Sequence, residues 1–310
     1  MHSYSPDTNL TNFMAQIIDG KKIAQEIKNE LKGKIEELKS SGCIPGLTVV
    51  IVGEDPASQI YVRMKTKASQ ELGINSETIA LPADTLQTKL LELIDKLNKD
   101  ESVHGILVQL PLPEQIDEDA IINSISPEKD VDGFHPVNRG KLMVGKDTFA
   151  PCTPLGIQEM LVRSNFDPNG KHVVIVGRSK IVGMPLATML GQKKSGANAT
   201  VTVCHTGTKD ISYFTRQADI LVAAIGRPEV IKGEMVKEGA AVIDVGINRV
   251  QAPDTEKGYR IVGDVEFESA SQKAAAISPV PGGVGPMTIA MLLYNTVKSA
   301  QNFCASSSTG

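Results

Sequence analysis

Tyr61 and Lys65 stand four residues apart in this 310-residue chain, just inside a stretch whose start signals predict a helix. The ring and the amine therefore share one face within the first two turns. A lysine near the positive end of a helix, beside an aromatic ring, is placed to give or take a proton. Alone, such a pair is more often a solvated lysine over a packing tyrosine. Gln109 shifts the weighting, because it ends a predicted strand immediately before Leu110-Pro111. In parallel α/β sheets ligands gather beyond the carboxyl ends of strands, so Gln109 and the helix after Val52 are expected to face one crevice.

A second centre of chemistry is the stretch Val173-Val-Ile-Val-Gly-Arg-Ser-Lys-Ile-Val-Gly-Met-Pro185. Four β-branched residues run into a glycine turn, and a proline then starts a helix. Backbone N–H groups and a positive helix end meet there, which suits a phosphate. The spacing departs from a regular G-x-G-x-x-G, since Arg178 and Ser179 follow Gly177 directly and the next glycine is Gly183. A dinucleotide fold normally ends its second strand in an acid that accepts ribose hydroxyls. Here that strand runs through Cys204 into His205-Thr-Gly-Thr-Lys209, without a carboxylate. Hydroxyls, a histidine, a lysine and Arg178 suit a 2′-phosphate that an acid would repel, so NADP(H) is expected over NAD(H). The arginine in the turn is expected to hold the cofactor less tightly against the helix end.

Two further loops have the composition of binding elements. Asp130-Val-Asp132-Gly133-Phe-His-Pro136 reads as a capped turn. Pro279-Val-Pro-Gly-Gly-Val-Gly-Pro-Met-Thr288 holds three prolines and three glycines before a helix, a stiff loop whose backbone can approach a flat ligand closely.

The elements that must position these residues can be read from periodicity. Ile23, Ile27, Leu31, Ile35 and Leu38 recur at helical spacing from a cap at Asp19 to Gly42. Strands are predicted over 47–52, 74–81 and 105–110, with helices from a cap at Ser58 towards Gly73 and over 86–98. That alternation implies βαβ units and a parallel sheet. A loop-rich zone over 126–153 ends the first unit. The alternation restarts with a helix at Thr153-Pro154, strands at 173–176, 199–204, 220–224 and 241–244, and a helix over 183–194. A last helix over 287–303 is expected to return to the first unit. The predicted fold class is α/β with two α/β domains: an N-terminal catalytic βαβ domain over 15–150 plus 286–304, and a C-terminal Rossmann-like NADP-binding domain over 151–285. Residues 1–14 and 305–310 read as loose tails, with Met14 as an alternative start.

Composition is that of a globular protein: 41% hydrophobic and 22% charged residues, with no apolar run of membrane-spanning length. Thirty-two basic against 36 acidic residues give a net charge of -4, without the basic stripe that nucleic-acid binding would want. The first thirteen residues contain no Lys or Arg, so no signal or transit peptide is expected. Cys43, Cys152, Cys204 and Cys304 are widely scattered, with no C-x-x-C pair and no histidine at ligand spacing. They read as reduced thiols of a cytoplasmic protein, forming neither a disulfide framework nor a metal site.

Together, Tyr61-Val-Arg-Met-Lys65, Val108-Gln-Leu-Pro-Leu112, Pro127-Glu-Lys-Asp-Val-Asp-Gly133, the Gly177 turn, Asp244-Val-Gly-Ile-Asn248 and the 279–288 loop resemble, in order, the bifunctional methylenetetrahydrofolate dehydrogenase/cyclohydrolase family. The likeness runs from about Ala15 to Phe303. It implies oxidation of 5,10-methylenetetrahydrofolate by NADP+ to the methenyl cation and hydrolysis of that cation to 10-formyltetrahydrofolate, in one-carbon metabolism and without a metal. It implies Lys65 as principal catalytic residue, Tyr61 stacking on the folate, Gln109 tuning Lys65 and Asp132 holding the pterin amino edge. Val108, Leu110 and the loop Pro281, Gly282, Gly283, Val284 and Gly285 would line the folate pocket. Gly177, Arg178, Ser179, Thr206 and Ile247 would hold NADP. A homodimer is implied as well. Thr206 departs from the serine common in the family, and the segment 251–260 is longer and more charged than a minimal hairpin. The synthetase domain of trifunctional relatives is not expected within these 310 residues. Two other readings are another NADP-linked dehydrogenase on the same scaffold, of shikimate or amino-acid type, and a non-catalytic NADP(H)-binding redox sensor.

Overall fold

The computed structural model describes residues 15–255 and 258–307, so the tail expected at 1–14 and the last three residues of the one expected at 305–310 lie outside it. The chain opens with β1 (Gln16–Ile17) and α1 (Gly20–Ser40), whose N-terminal amides are capped by the Asp19 carboxylate. Next comes a three-stranded parallel sheet, built from β2 (Gly46–Val52), α2 (Pro56–Glu71), β3 (Asn75–Leu81), α3 (Gln87–Lys99) and β4 (Gly105–Val108), in the order β3-β2-β4. β2 is buried along its whole length, as a strand covered on both faces must be. The cap of α2 is Asp55, which accepts from the Ser58 amide, with Pro56 in the first turn; Ser58 is therefore inside the helix it was expected to cap.

The zone over 126–153 carries α5 (Pro136–Met143), after a short α4 (Glu118–Ser124). Pro136 there opens a helix rather than a turn, because the His135 imidazole accepts from Val137 as a cap. The second unit comprises α6 (Cys152–Arg163), β5 (His172–Val176), α7 (Gly183–Leu190), β6 (Thr200–Cys204), α8 (Ile211–Thr215), β7 (Ile220–Ala223), β8 (Ala241–Asp244), the hairpin β9 (Asn248–Gln251) and β10 (Tyr259–Val262), α9 (Phe267–Ser271) and β11 (Ala276–Ile277). Its sheet runs β6-β5-β7-β8-β11, which in order of appearance is 2-1-3-4-5, a doubly wound arrangement with its switch point between β5 and β7. β1 extends this second sheet by pairing with β11, so residues 16–17 leave the first unit with which the sequence grouped them.

α10 (Val284–Ser307) closes the molecule. It starts three residues earlier than periodicity suggested and extends through residues 305–307, which were expected to fray. Met287, Ala290, Met291, Leu293 and Val297 are buried in one core that also holds Ile27, Leu31 and Ile35 of α1 and Ile157 and Leu161 of α6. Gly20 makes the junction possible: a Cβ there would lie 1.8 Å from the Gly283 carbonyl oxygen, so α1 can begin against the loop before α10 only without a side chain. At the other end of this helix pair Cys43 and Cys304 form a disulfide, with Cα atoms 6.4 Å apart across 261 residues of sequence. This corrects the expectation of four reduced thiols, which linear spacing supported because it does not show that α1 and α10 lie side by side. Cys152 and Cys204 are free and buried.

Candidate active site

β2 and β4 are adjacent and parallel, so the chain leaves both strands at the same edge of the sheet. α2 comes after β2 and carries Tyr61 and Lys65; Gln109 comes directly after β4, its amide held by the Val50 carbonyl at 2.8 Å. Lys65 is only 8% exposed, and its Nζ donates to Gln109 Oε1 at 3.0 Å. The other end of that amide donates from Nε2 to the Leu110 carbonyl at 2.7 Å, which fixes which atom faces the lysine. Tyr61 is half-buried, and burial pushes its hydroxyl pKa up.

Asp132 joins this group from the turn after residue 130. Desolvation pushes its carboxyl pKa up and the positive charge of Lys65 opposes that shift, while the neighbouring Cys152 thiol donates to the Val131 carbonyl at 3.4 Å. Beneath the turn lies Asn295 of α10, a residue the sequence reading did not single out. Its Nδ2 donates to the carbonyls of Val131 (2.8 Å) and Ala150 (3.0 Å), fastening the segments on either side of Asp132 and Cys152 to one helix. The signal was an asparagine within an apolar helical stretch, at a position that had to be buried.

A cavity of about 280 Å³ separates the two units. Ile60, Tyr61 and Met64 wall it on one side, Val245 to Ile247 on another, and residues 279–286 on a third. The loop residues Pro281, Gly282, Gly283, Val284 and Gly285 thus share a cavity with Tyr61 and with Ile247, which was grouped with the cofactor residues. Of the residues expected to bind the folate, Lys65, Val108, Gln109, Leu110 and Asp132 do not line this cavity. Val108 is buried in a cluster with Val50, Val52 and Ile106. Leu110 contributes its carbonyl to Gln109 rather than a side chain to that wall.

Gly177, Arg178, Ser179 and Thr206 lie at the carboxyl edge of the second sheet. The Gly177 amide donates to Cys204 at 2.8 Å, so the turns after β5 and β6 are neighbours. Gly177 has φ of 135°, and a Cβ there would lie 2.1 Å from the Ala224 carbonyl oxygen at the switch point. Gly183 starts α7 against the Gly177 carbonyl, which takes over the role of the closely packed third glycine in a regular fingerprint. Ser179 Oγ accepts from the amides of Val182 and Gly183, leaving the hydroxyl hydrogen available. Arg178 and Thr206 are exposed, and Arg178 makes no ion pair among the described residues.

Two buried acids, Asp244 and Asp264, brace the loops along this edge. Asp244 accepts from the amides of Gly246, Asp264 and Val265. Asp264 accepts from Ile225, Gly226, Arg227 and the Asn248 side chain. Burial raises the Asp244 carboxyl to about 6, against these amides. Asp264 was not singled out from sequence; Gly263-Asp-Val265 carries no signal until the loops it gathers are seen together.

Comparison with known proteins gives one answer for both units. Residues 18–132 match the family described as tetrahydrofolate dehydrogenase/cyclohydrolase, catalytic domain, and residues 151–304 match its NAD(P)-binding domain. Bifunctional protein FolD of Chloroherpeton thalassium is 60% identical over 292 residues, covering 93% of this chain and 99% of that protein. The crystal structure of the bifunctional enzyme FolD, methylenetetrahydrofolate dehydrogenase/cyclohydrolase, from Campylobacter jejuni is 54% identical and superposes with a TM-score of 0.88 over 93% of this chain and 99% of that one. The Trypanosoma brucei enzyme, solved with NADP cofactor and inhibitor, is 43% identical with a TM-score of 0.88, over 93% and 98% of the two chains.

Proposed function

The chain belongs to the tetrahydrofolate dehydrogenase/cyclohydrolase family, and from that premise we propose that one cleft performs two consecutive reactions: oxidation of 5,10-methylenetetrahydrofolate with NADP+, then hydrolysis of the methenyl product to 10-formyltetrahydrofolate. The observation that carries this reading is the Lys65–Gln109 hydrogen bond of 3.0 Å, one helical turn from Tyr61, which itself walls the cavity between the units. The relatives support this reading rather than a different NADP-linked dehydrogenase or a sensor without turnover.

In the first reaction hydride leaves a carbon held between two nitrogens, and an amidinium-like cation remains. Bound NADP+ supplies the hydride acceptor. Its fit to this chain rests on the cradle at Gly177 that a Cβ would fill, on exposed Arg178 and Thr206, and on the absence of a carboxylate where β6 ends. Tyr61 offers a ring face to the flat pterin. Asp132 answers the pterin's donor edge with two acceptor oxygens, a charge-assisted match. A free ammonium beside a growing cation would oppose the oxidation; Gln109 Oε1 engages one of the Lys65 hydrogens and draws that charge away from the carbon. In the second reaction Lys65 assists the water that attacks the cation, and the apolar residues Ile60, Met64 and Ile247 restrict other water.

Residues 15–150 with 286–304 form the folate-binding unit in this reading, with β1 lent to the second sheet, and residues 151–285 form the NADP unit. A homodimer in the cytoplasm is proposed from the family resemblance; no helix among the described residues is long and apolar enough to cross a membrane. The test is purified protein with methylenetetrahydrofolate and either NADP+ or NAD+. Methenyl absorbance is expected to rise and then decay, with NADP+ favoured at least tenfold. Equal use of NAD+ would remove the cofactor assignment, and a methenyl product that decays no faster than in buffer would remove the second activity.

A further inference from the structure

α1 and α10 lie parallel, and their far ends meet in a second cluster of reactive side chains. Cys43 is buried in the turn after α1, while Cys304 is half-buried on α10. Both face an open groove lined also by Leu38, Ile44 and Gln301. His104, at the start of β4, brings a ring nitrogen within 4.8 Å of the sulfurs.

We propose that Cys43 and Cys304 form a reversible thiol–disulfide site, reduced by a dithiol, that fastens the last turns of α10 to the end of α1 when oxidised. The Cα separation of 6.4 Å lies within the range a disulfide spans without backbone movement. Two cysteines and a histidine also have the composition of a metal site, but His104 is committed elsewhere. Its Nδ1 accepts from the Gly46 amide at 3.0 Å, so the ring carries its proton on Nε2 and offers a metal no lone pair from either nitrogen. Burial and the charge of Lys129 push its pKa down and keep it neutral. Its ring is further fixed edge-on against Phe303 at 5.4 Å. The fold does not need the link, since α10 is held by Met287 through Ala300 packed into the main core. Reduction therefore removes one of the contacts that hold the helix end, beside the Phe303–His104 contact, and leaves the helix docked.

The exchange balances with an external dithiol. Its thiolate attacks the more accessible Cys304 sulfur, the Cys43–Cys304 bond breaks, and Cys43 leaves as a thiolate that takes a proton from water. The reductant's second thiol then displaces Cys304. Two thiols remain here, a disulfide is left on the reductant, and two electrons have passed to this protein. Oxidised glutathione reverses the exchange.

The test equilibrates the full-length protein with reduced or oxidised glutathione, traps thiols by alkylation and maps them by mass spectrometry. A Cys43–Cys304 link is expected in the oxidised sample, and both thiols alkylated after dithiothreitol treatment of the native protein. The oxidised protein is expected to melt several degrees above the reduced one. Cys43→Ser and Cys304→Ser each abolish that difference and leave dehydrogenase turnover at 25 °C unchanged. The wild-type thiol map stands even if one variant folds poorly. Free thiols in excess oxidised glutathione would overturn the proposal. So would a link that native protein does not release to dithiothreitol, or stoichiometric zinc in the reduced protein that Cys43→Ser loses.

Discussion

Lys65 and Gln109 are 44 positions apart, yet the amide of Gln109 is oriented by its own neighbour to present oxygen to the lysine. Their common edge was legible because each lies just beyond a strand of one parallel sheet. Asn295 was not legible in the same way, since its partners are backbone carbonyls at positions 131 and 150. Asn295→Ala should cost roughly 1–3 kcal/mol by removing the Asn295 bond to the Ala150 carbonyl and leaving the Val131 carbonyl only its weak contact with the Cys152 thiol. If Asn295 also holds the Asp132 turn, the folate KM should rise severalfold with NADP+ affinity unchanged; denaturant unfolding and steady-state kinetics would separate the two effects, and an unaltered folate KM would limit Asn295 to a structural part. Asp244 gives a pH signature. Its folded pKa of about 6 stands above the model-peptide value of 3.8, so its contribution to stability is fully present below about pH 4 and is lost as pH rises through 6. The stability of the wild type relative to Asp244→Asn should therefore fall between pH 4 and 7, by on the order of 3 kcal/mol at most. A difference that stays constant across that range would contradict a buried, titrating carboxyl.

At the level of elements, strongly periodic segments were readable and local caps were not. The helix from Asp19 and the strand over 241–244 appear almost as their patterns predict. α5 was missed because it carries few apolar residues and contains Gly140, so its helicity depends on the His135 cap and on packing of Leu142. α7 stops at Leu190 rather than continuing towards 194, because glycine comes next. The Gly177 turn couples three elements, β5, α7 and the chain leaving β7. Gly177→Ala would force a side chain to φ of 135° and into the Ala224 carbonyl. NADP+ affinity measured by fluorescence or calorimetry should fall at least tenfold, and hydrolysis of supplied methenyltetrahydrofolate should be affected less. Equal losses would mean that the turn supports the whole fold rather than the cofactor edge.

For the whole molecule, the two units are joined by one helix that serves both. α10 begins at the loop lining the cavity, buries its length against α1 and α6, and carries Asn295 beneath Asp132. Arg163 of α6 adds a bidentate contact to Glu30 of α1 at 2.7 and 3.0 Å and holds the Glu30 carboxyl below the usual range. Glu30 is largely exposed, so the pair is worth under about 1 kcal/mol, and Arg163→Met should change the melting temperature little. The two-unit α/β architecture could be read from alternation alone, whereas the helix pairing that brings Cys43 to Cys304 could not. Pairing of sequence-distant helix ends is decided by packing of α1 on α10, which no local pattern encodes.

In the proposed reading Lys65 links both reactions in one cleft. The most direct measurement is hydrolysis of supplied 5,10-methenyltetrahydrofolate by Lys65→Gln, with NADP+ binding measured on the same preparation. The expected result is a loss of at least about 100-fold in hydrolysis with cofactor affinity within twofold of wild type. Near-normal hydrolysis by the variant would contradict the assignment.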